Sequence, residues 1–124
     1  MKCVNHARRT TAGAVLALLA LAIPAGAHAA TPKLVGTVGP GFTISLKTAA
    51  GKNVTVLPRG TYAITIRDRS RIHDFRLRGA GVDKTLSAAG AVGTRTVTVR
   101  FAAGRYQFVC QPHASAMRGA FRVG

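Results

Sequence analysis

The chain has 124 residues, enough for one domain, and carries 18 Lys and Arg against three acidic residues, a formal net charge of +15. Five Phe, two Tyr and no Trp offer no stacking platform among the basic residues, which argues against nucleic acid as a partner. Three carboxylates leave little for general acid–base work, so an enzyme is not expected.

Residues 1–29 read as a cleaved signal peptide. Lys2, Arg8 and Arg9 form a basic lead, Ala12 to Ile23 is apolar up to Pro24, and Ala27-His28-Ala29 offers a small-x-small cleavage site. The apolar run falls short of the roughly 20 residues of a membrane-spanning helix. The expected domain is therefore residues 30–124, exported to a periplasm, a cell envelope or the medium. Cleavage takes Cys3, His6, His28 and three basic residues with the leader. What remains is one cysteine (Cys110), two histidines (His73 and His113), one methionine (Met117) and a net charge of +12. A single cysteine excludes an intramolecular disulfide. An unpaired thiol in an oxidising compartment needs burial or something bound to it.

Along the domain the pattern is strand-like. Phe42, Ile44 and Leu46 alternate with polar residues, and Val54 and Val56 resume the alternation after a turn at Ala49 to Asn53. Tyr62, Ile64 and Ile66 share one face of the next stretch. A charged segment, Asp68 to Arg71, precedes a strand over Ile72 to Arg78, with His73 at its start. Gly79 to Gly93 carries only Leu86 and Val92 as large anchors. Val97, Val99 and Phe101 alternate within Thr94 to Phe101, a strand runs from Gly104 through Cys110, and a short one covers Gly119 to Val123. Short strands separated by Gly and Pro turns imply an all-β, antiparallel β-sandwich of seven or eight strands.

The chemistry concentrates near the C-terminus. Cys110-Gln111-Pro112-His113 ends a strand, and Met117 follows before the last strand begins. A thiolate, an imidazole and a thioether so close together suit copper better than magnesium or calcium. The gap of two residues lets one tight loop turn Cys110 and His113 toward one centre, and Pro112 stiffens that loop. His73 is the one other histidine of the domain, and the start of one strand can meet the end of another at the same edge of a sandwich. Two imidazoles and a thiolate with a long thioether bond complete a blue-copper set, leaving no surplus donor.

The order His73, then Cys110-x-x-His113, then Met117, behind a signal peptide, resembles the cupredoxins of plastocyanin and azurin type. The likeness is densest over Gly104 to His113, and over His73-Asp74-Phe75 with Gly79-Ala80-Gly81-Val82. It implies a Greek-key sandwich with one type 1 copper ion cycling between Cu(I) and Cu(II). By that resemblance His73, Cys110 and His113 are the equatorial ligands, Met117 the axial one, and His113 the electron port. Three residues separate His113 from Met117, where plastocyanin-like members usually have four and amicyanin-like members two. Asp74 stands where the family often has Asn; a carboxylate there either lowers the potential or accepts a hydrogen bond beside the site.

Arg67, Arg69, Arg71, Arg76 and Arg78 recur at alternate positions around His73. They read either as a solvated face that discourages edge pairing or as a docking surface for an acidic redox partner protein. The same charge permits contact with an anionic cell envelope. The expected function is single-electron transfer by a monomer. The rivals are an envelope copper carrier or storage protein, which exchanges the metal itself, and a non-redox module for acidic surfaces.

Overall fold

The computed structural model describes residue 13 and residues 21–124. Most of the expected leader, with Lys2, Cys3, His6, Arg8, Arg9 and much of the apolar run, lies outside the described residues. Residues 21–32 form neither strand nor helix, and among the described residues no helix is long and apolar enough to cross a membrane.

Nine strands follow: β1 (Lys33–Val38), β2 (Ile44–Thr48), β3 (Val56–Leu57), β4 (Gly60–Asp68), β5 (Phe75–Gly79), β6 (Val82–Ser87), β7 (Gly93–Phe101), β8 (Gly104–Val109) and β9 (Arg118–Val123). A 3-10 turn over Gln111–His113 separates β8 from β9. One sheet has the order β2-β1-β4-β7 and the other β3-β9-β8-β5-β6. The all-β sandwich expected from the alternation is present. Its sheets are mixed, because β1 runs parallel to β4 and β3 parallel to β9.

The period-2 residues meet between the sheets. Leu34, Leu46, Tyr62, Ile64, Ile66, Val99 and Phe101 from one face Phe75, Leu77, Leu86, Tyr106, Phe108 and Phe121 from the other, all buried. Phe75 and Phe108 stack at 5.8 Å, and Tyr106 and Phe121 at 5.3 Å, so aromatic rings fill the middle of the second sheet's inner face.

Local expectations change at two places, and β1 has no counterpart among the expected strands. β1 carries no strong apolar alternation because Gly36 occupies an inward position between Leu34 and Val38. A Cβ there would lie 2.5 Å from Ile66 Cδ1 and 3.0 Å from the Phe75 ring, so neighbouring side chains fill the space a larger residue would take. Val56 is 66 % exposed, since the chain leaves the first sheet after Val54 and the inward position passes to Leu57. Gly79 to Gly93 yields β6 through the hairpin pairing of Arg78 with Asp83, with Leu86 buried and Val92 exposed.

The ends of the strands set up the site. β5 is antiparallel to β8 with Arg76 opposite Val109, so the residues before β5 and after β8 emerge at one end of the sandwich. β1 and β4 finish at that end too, with Val38 opposite Asp68. Core packing at Gly36 and Ile66 supports this end directly. In urea unfolding, Ile66→Ala is expected to cost about 2–5 kcal/mol and Gly36→Val about 1–3 kcal/mol.

Candidate metal centre

Three segments converge where the sheets end. His73 comes from the connection between β4 and β5, two residues before β5 rather than within it. Cys110 stands one residue past β8. His113 closes the 3-10 turn that begins at Gln111. The donor atoms of the three lie within 4.8 Å of one another. Cys110 Sγ is 3.7 Å from His73 Nδ1 and 3.6 Å from His113 Nδ1, and the two Nδ1 atoms are 3.0 Å apart. Cys110 and His73 are sealed from solvent, whereas His113 is half-buried.

A neighbouring backbone carbonyl sets the chemistry of His73. Its Nε2 lies 2.6 Å from Gly41 O, and a carbonyl oxygen only accepts, so the proton belongs on Nε2. In the neutral ring Nδ1 then presents a bare lone pair toward Cys110 and His113. This is the form a metal-binding imidazole takes, its other nitrogen fixing the ring by donating to an oxygen. Burial pushes the Cys110 thiol above its ordinary pKa, while backbone contacts from Asp74 and His113 pull it down. Two nitrogens and a sulfur crowded into a closed space fit a soft or borderline cation that replaces protons.

The loop that delivers Gly41 carries a feature with no strong signal in the sequence. Gly39 adopts φ +68°, and a Cβ there would sit 2.8 Å from Ser70 Cβ, so glycine lets this loop close on the β4–β5 connection. Phe42 then turns outward, 60 % exposed, instead of pointing into the core with Leu46. Its ring meets His73 edge-on at 5.4 Å and His113 at 4.9 Å. Phe42 and Gly41 thus cover the two histidines. The only sequence hint is the Gly39-Pro40-Gly41 turn just ahead of them.

Asp74 is 8 % exposed and its Oδ1 accepts from Gln111 N at 2.7 Å, tying the β4–β5 connection to the cysteine loop. Pro112 lies in the first turn after Cys110, exposed. Met117 is fully buried; its N–H donates to His113 O at 2.9 Å and its carbonyl accepts from Cys110 N at 3.0 Å. The backbone of residues 110–117 is therefore a closed loop around the donors.

The arginines divide. Arg67, Arg69 and Arg71 are exposed, and Arg67 and Arg69 line an open groove with Lys47, Thr37 and Ser45 on the outer face of the first sheet. Arg76 and Arg78, both on β5, face Asp83 at 2.7 and 3.6 Å. The Arg76 guanidinium holds the Asp83 carboxyl below the usual carboxylate range.

A family model for copper binding proteins of the plastocyanin/azurin family matches residues 37–124. A search of curated proteins gives no significant match. Among solved structures, the fold is similar to rusticyanin from Thiobacillus ferrooxidans, with a TM-score of 0.54 and 24 % identity over 74 % of this chain and 76 % of that one. Reduced rusticyanin gives a TM-score of 0.55 at 24 % identity, covering 79 % of this chain and 82 % of that one. A structure of substituted rusticyanins gives 0.57 at 24 %, covering 79 % and 80 %. The family match runs from the end of β1 to the last residue and takes in all three converging donors, so the chain belongs to the plastocyanin/azurin family of copper-binding proteins, a cupredoxin-type blue copper protein for one copper ion.

Proposed function

We propose that the protein is an exported single-electron carrier in which His73 Nδ1, Cys110 Sγ, His113 Nδ1 and the Met117 thioether hold the copper ion. The observation that carries this reading is the convergence of the three buried or half-buried donor atoms within 4.8 Å. Copper bound there supplies a one-electron Cu(I)/Cu(II) couple. The protein supplies a donor set already gathered, so little has to rearrange when the charge at the site changes. Gly41 O fixes the His73 ring, Asp74 fixes the cysteine loop, and the Phe42 ring excludes water from above the histidines.

His113 is the route to solvent. It is the one member of the trio that is not sealed, and its ring lies against an exposed phenyl group. Electrons leave or enter there most directly, whereas metal exchange would require opening a site in which Cys110 and His73 are closed off. Export is supported by the leader pattern over residues 1–29 and by Leu21 and Ile23, which are 85 % and 88 % exposed and make no core with the sandwich. For the partner, the groove of Lys47, Arg67 and Arg69 is lined by no carboxylate and fits an acidic protein surface.

Cu(II) added to the protein freed of residues 1–29 should give an intense visible thiolate-to-copper charge-transfer band and reversible voltammetry. Cys110→Ser should abolish the band while leaving the far-ultraviolet circular dichroism unchanged. A folded wild-type protein with no such band would overturn the ligand assignment, and ready transfer of Cu(I) to an acceptor would recast the protein as a copper carrier.

Docking has its own readout. Association with an acidic redox protein should slow as salt rises, and Arg67→Gln with Arg69→Gln should slow it on the order of tenfold at low ionic strength. Arg100→Gln, at the far end of β7, should change it much less. Rates insensitive to salt, or equal losses in both variants, would remove the groove from the docking surface.

A further inference from the structure

Gln111 opens the turn between Cys110 and His113, and it is gripped from two sides. Its backbone N–H donates to Asp74, and its side-chain Oε1 accepts from Arg76 Nη1 at 2.8 Å. Arg76 places two other donors on Asp83, with Nε 2.7 Å from Oδ1 and Nη2 2.8 Å from Oδ2. A guanidinium is planar and its donors are rigidly arranged. Once two of them are paired with one carboxylate, the direction of the third is set.

We propose that Arg76 is a positioning residue for the copper loop: an Asp83–Arg76–Gln111 brace carries the rigidity of the β5–β6 hairpin into the turn that presents Cys110 and His113. Arg76 belongs to β5 and Asp83 to β6, so the anchor is part of a paired ladder. The turn it grips is at the surface, with Gln111 and Pro112 exposed and His113 half-buried. Among the described residues, the side-chain hydrogen bonds that tie residues 110–117 to other segments come from Asp74 and Arg76, apart from the contacts of the donors themselves.

The brace is a device of geometry rather than of overall stability. The Arg76 and Asp83 side chains are 26 % and 59 % exposed, and pairs so wet add little to folding. Three simultaneous bonds in one plane nevertheless restrict where Gln111 can go. This role removes Arg76 from the docking surface, because its charge is already matched by Asp83.

The redox half of the test rests on the ligand assignment proposed above; the metal-free half does not. Arg76→Lys keeps the charge but cannot pair with both Asp83 oxygens and reach Gln111 in the same plane. Gln111→Ala removes the acceptor and leaves the Arg76–Asp83 pair intact. In metal-free protein, amide hydrogen exchange across residues 111–116 should quicken on the order of fivefold or more in either variant. The double variant should be no faster, and thermal unfolding should stay close to wild type. In copper-loaded protein both variants should shift the visible band and the midpoint potential in the same direction. If Arg76→Lys matches wild type in both measurements while Arg76→Gln does not, charge alone is at work and the brace is overturned. It is equally overturned if Gln111→Ala leaves exchange unchanged. If exchange responds but no protein, wild type included, turns blue, the brace stands and the copper assignment falls.

Discussion

Two imidazole nitrogens 3.0 Å apart, with a sulfur less than 4 Å from both, are a crowded arrangement for a folded chain to maintain. Each atom carries a lone pair that the others repel unless a proton or a cation lies between them. Gly41 O decides where the proton goes. By accepting the hydrogen bond from His73 Nε2 it leaves Nδ1 bare and facing the other two donor atoms. Much of the surrounding structure at this end serves to keep these atoms together.

The sandwich achieves this by bringing strand ends of different origin to one place. β5 begins where β8 stops, and that register sets His73 beside Cys110 without either residue lying within a strand. A residue inside a ladder has its direction fixed by the pleat. One or two residues beyond it, the side chain can turn to a common centre, while the ladder still fixes where the backbone starts. The cost of this freedom is looseness, and the hydrogen bonds from Asp74 and between Cys110, His113 and Met117 restrict it.

How much of this could be read from the chain follows the range of each interaction. The alternation at Tyr62, Ile64 and Ile66 is local, and β4 buries all three. The Cys110-x-x-His113 spacing is local too, and the turn it implies is present. His73 was legible by a different route: outside the expected leader it is the only other histidine, so the count of donors named it without geometry. What could not be read depends on contacts far apart in sequence. Gly36 weakens the pattern of β1 because Ile66 and Phe75, 30 and 39 residues further along the chain, occupy its space. Phe42 looks like a core residue by its neighbours, and only the closure of the Gly39–Thr43 loop turns it over the histidines. Arg76 resembles the other alternate arginines until Gln111, 35 residues later, comes within reach.

The three carboxylates complete the account of the charge. Asp74 accepts from Gln111 N, Asp83 anchors Arg76, and Asp68, 2 % exposed, accepts from Ser70 N and from the Ser87 hydroxyl. Each of the three carboxylates is thus held in a local tie, and three negative charges offset few of the 18 basic groups. A surface with so few anions among so many cations carries a predominantly positive field. Such a field gives no contact by itself, but it attracts any negatively charged surface over distances up to about a Debye length, ~10 Å at moderate salt. At this end the exposed Phe42 lies against the half-buried His113, and Ile72, next to His73 in the chain, is exposed as well. Long-range attraction by a charged surface and short-range contact at an apolar tip are different tasks, and the charge imbalance and the exposed Phe42 supply the groups for each.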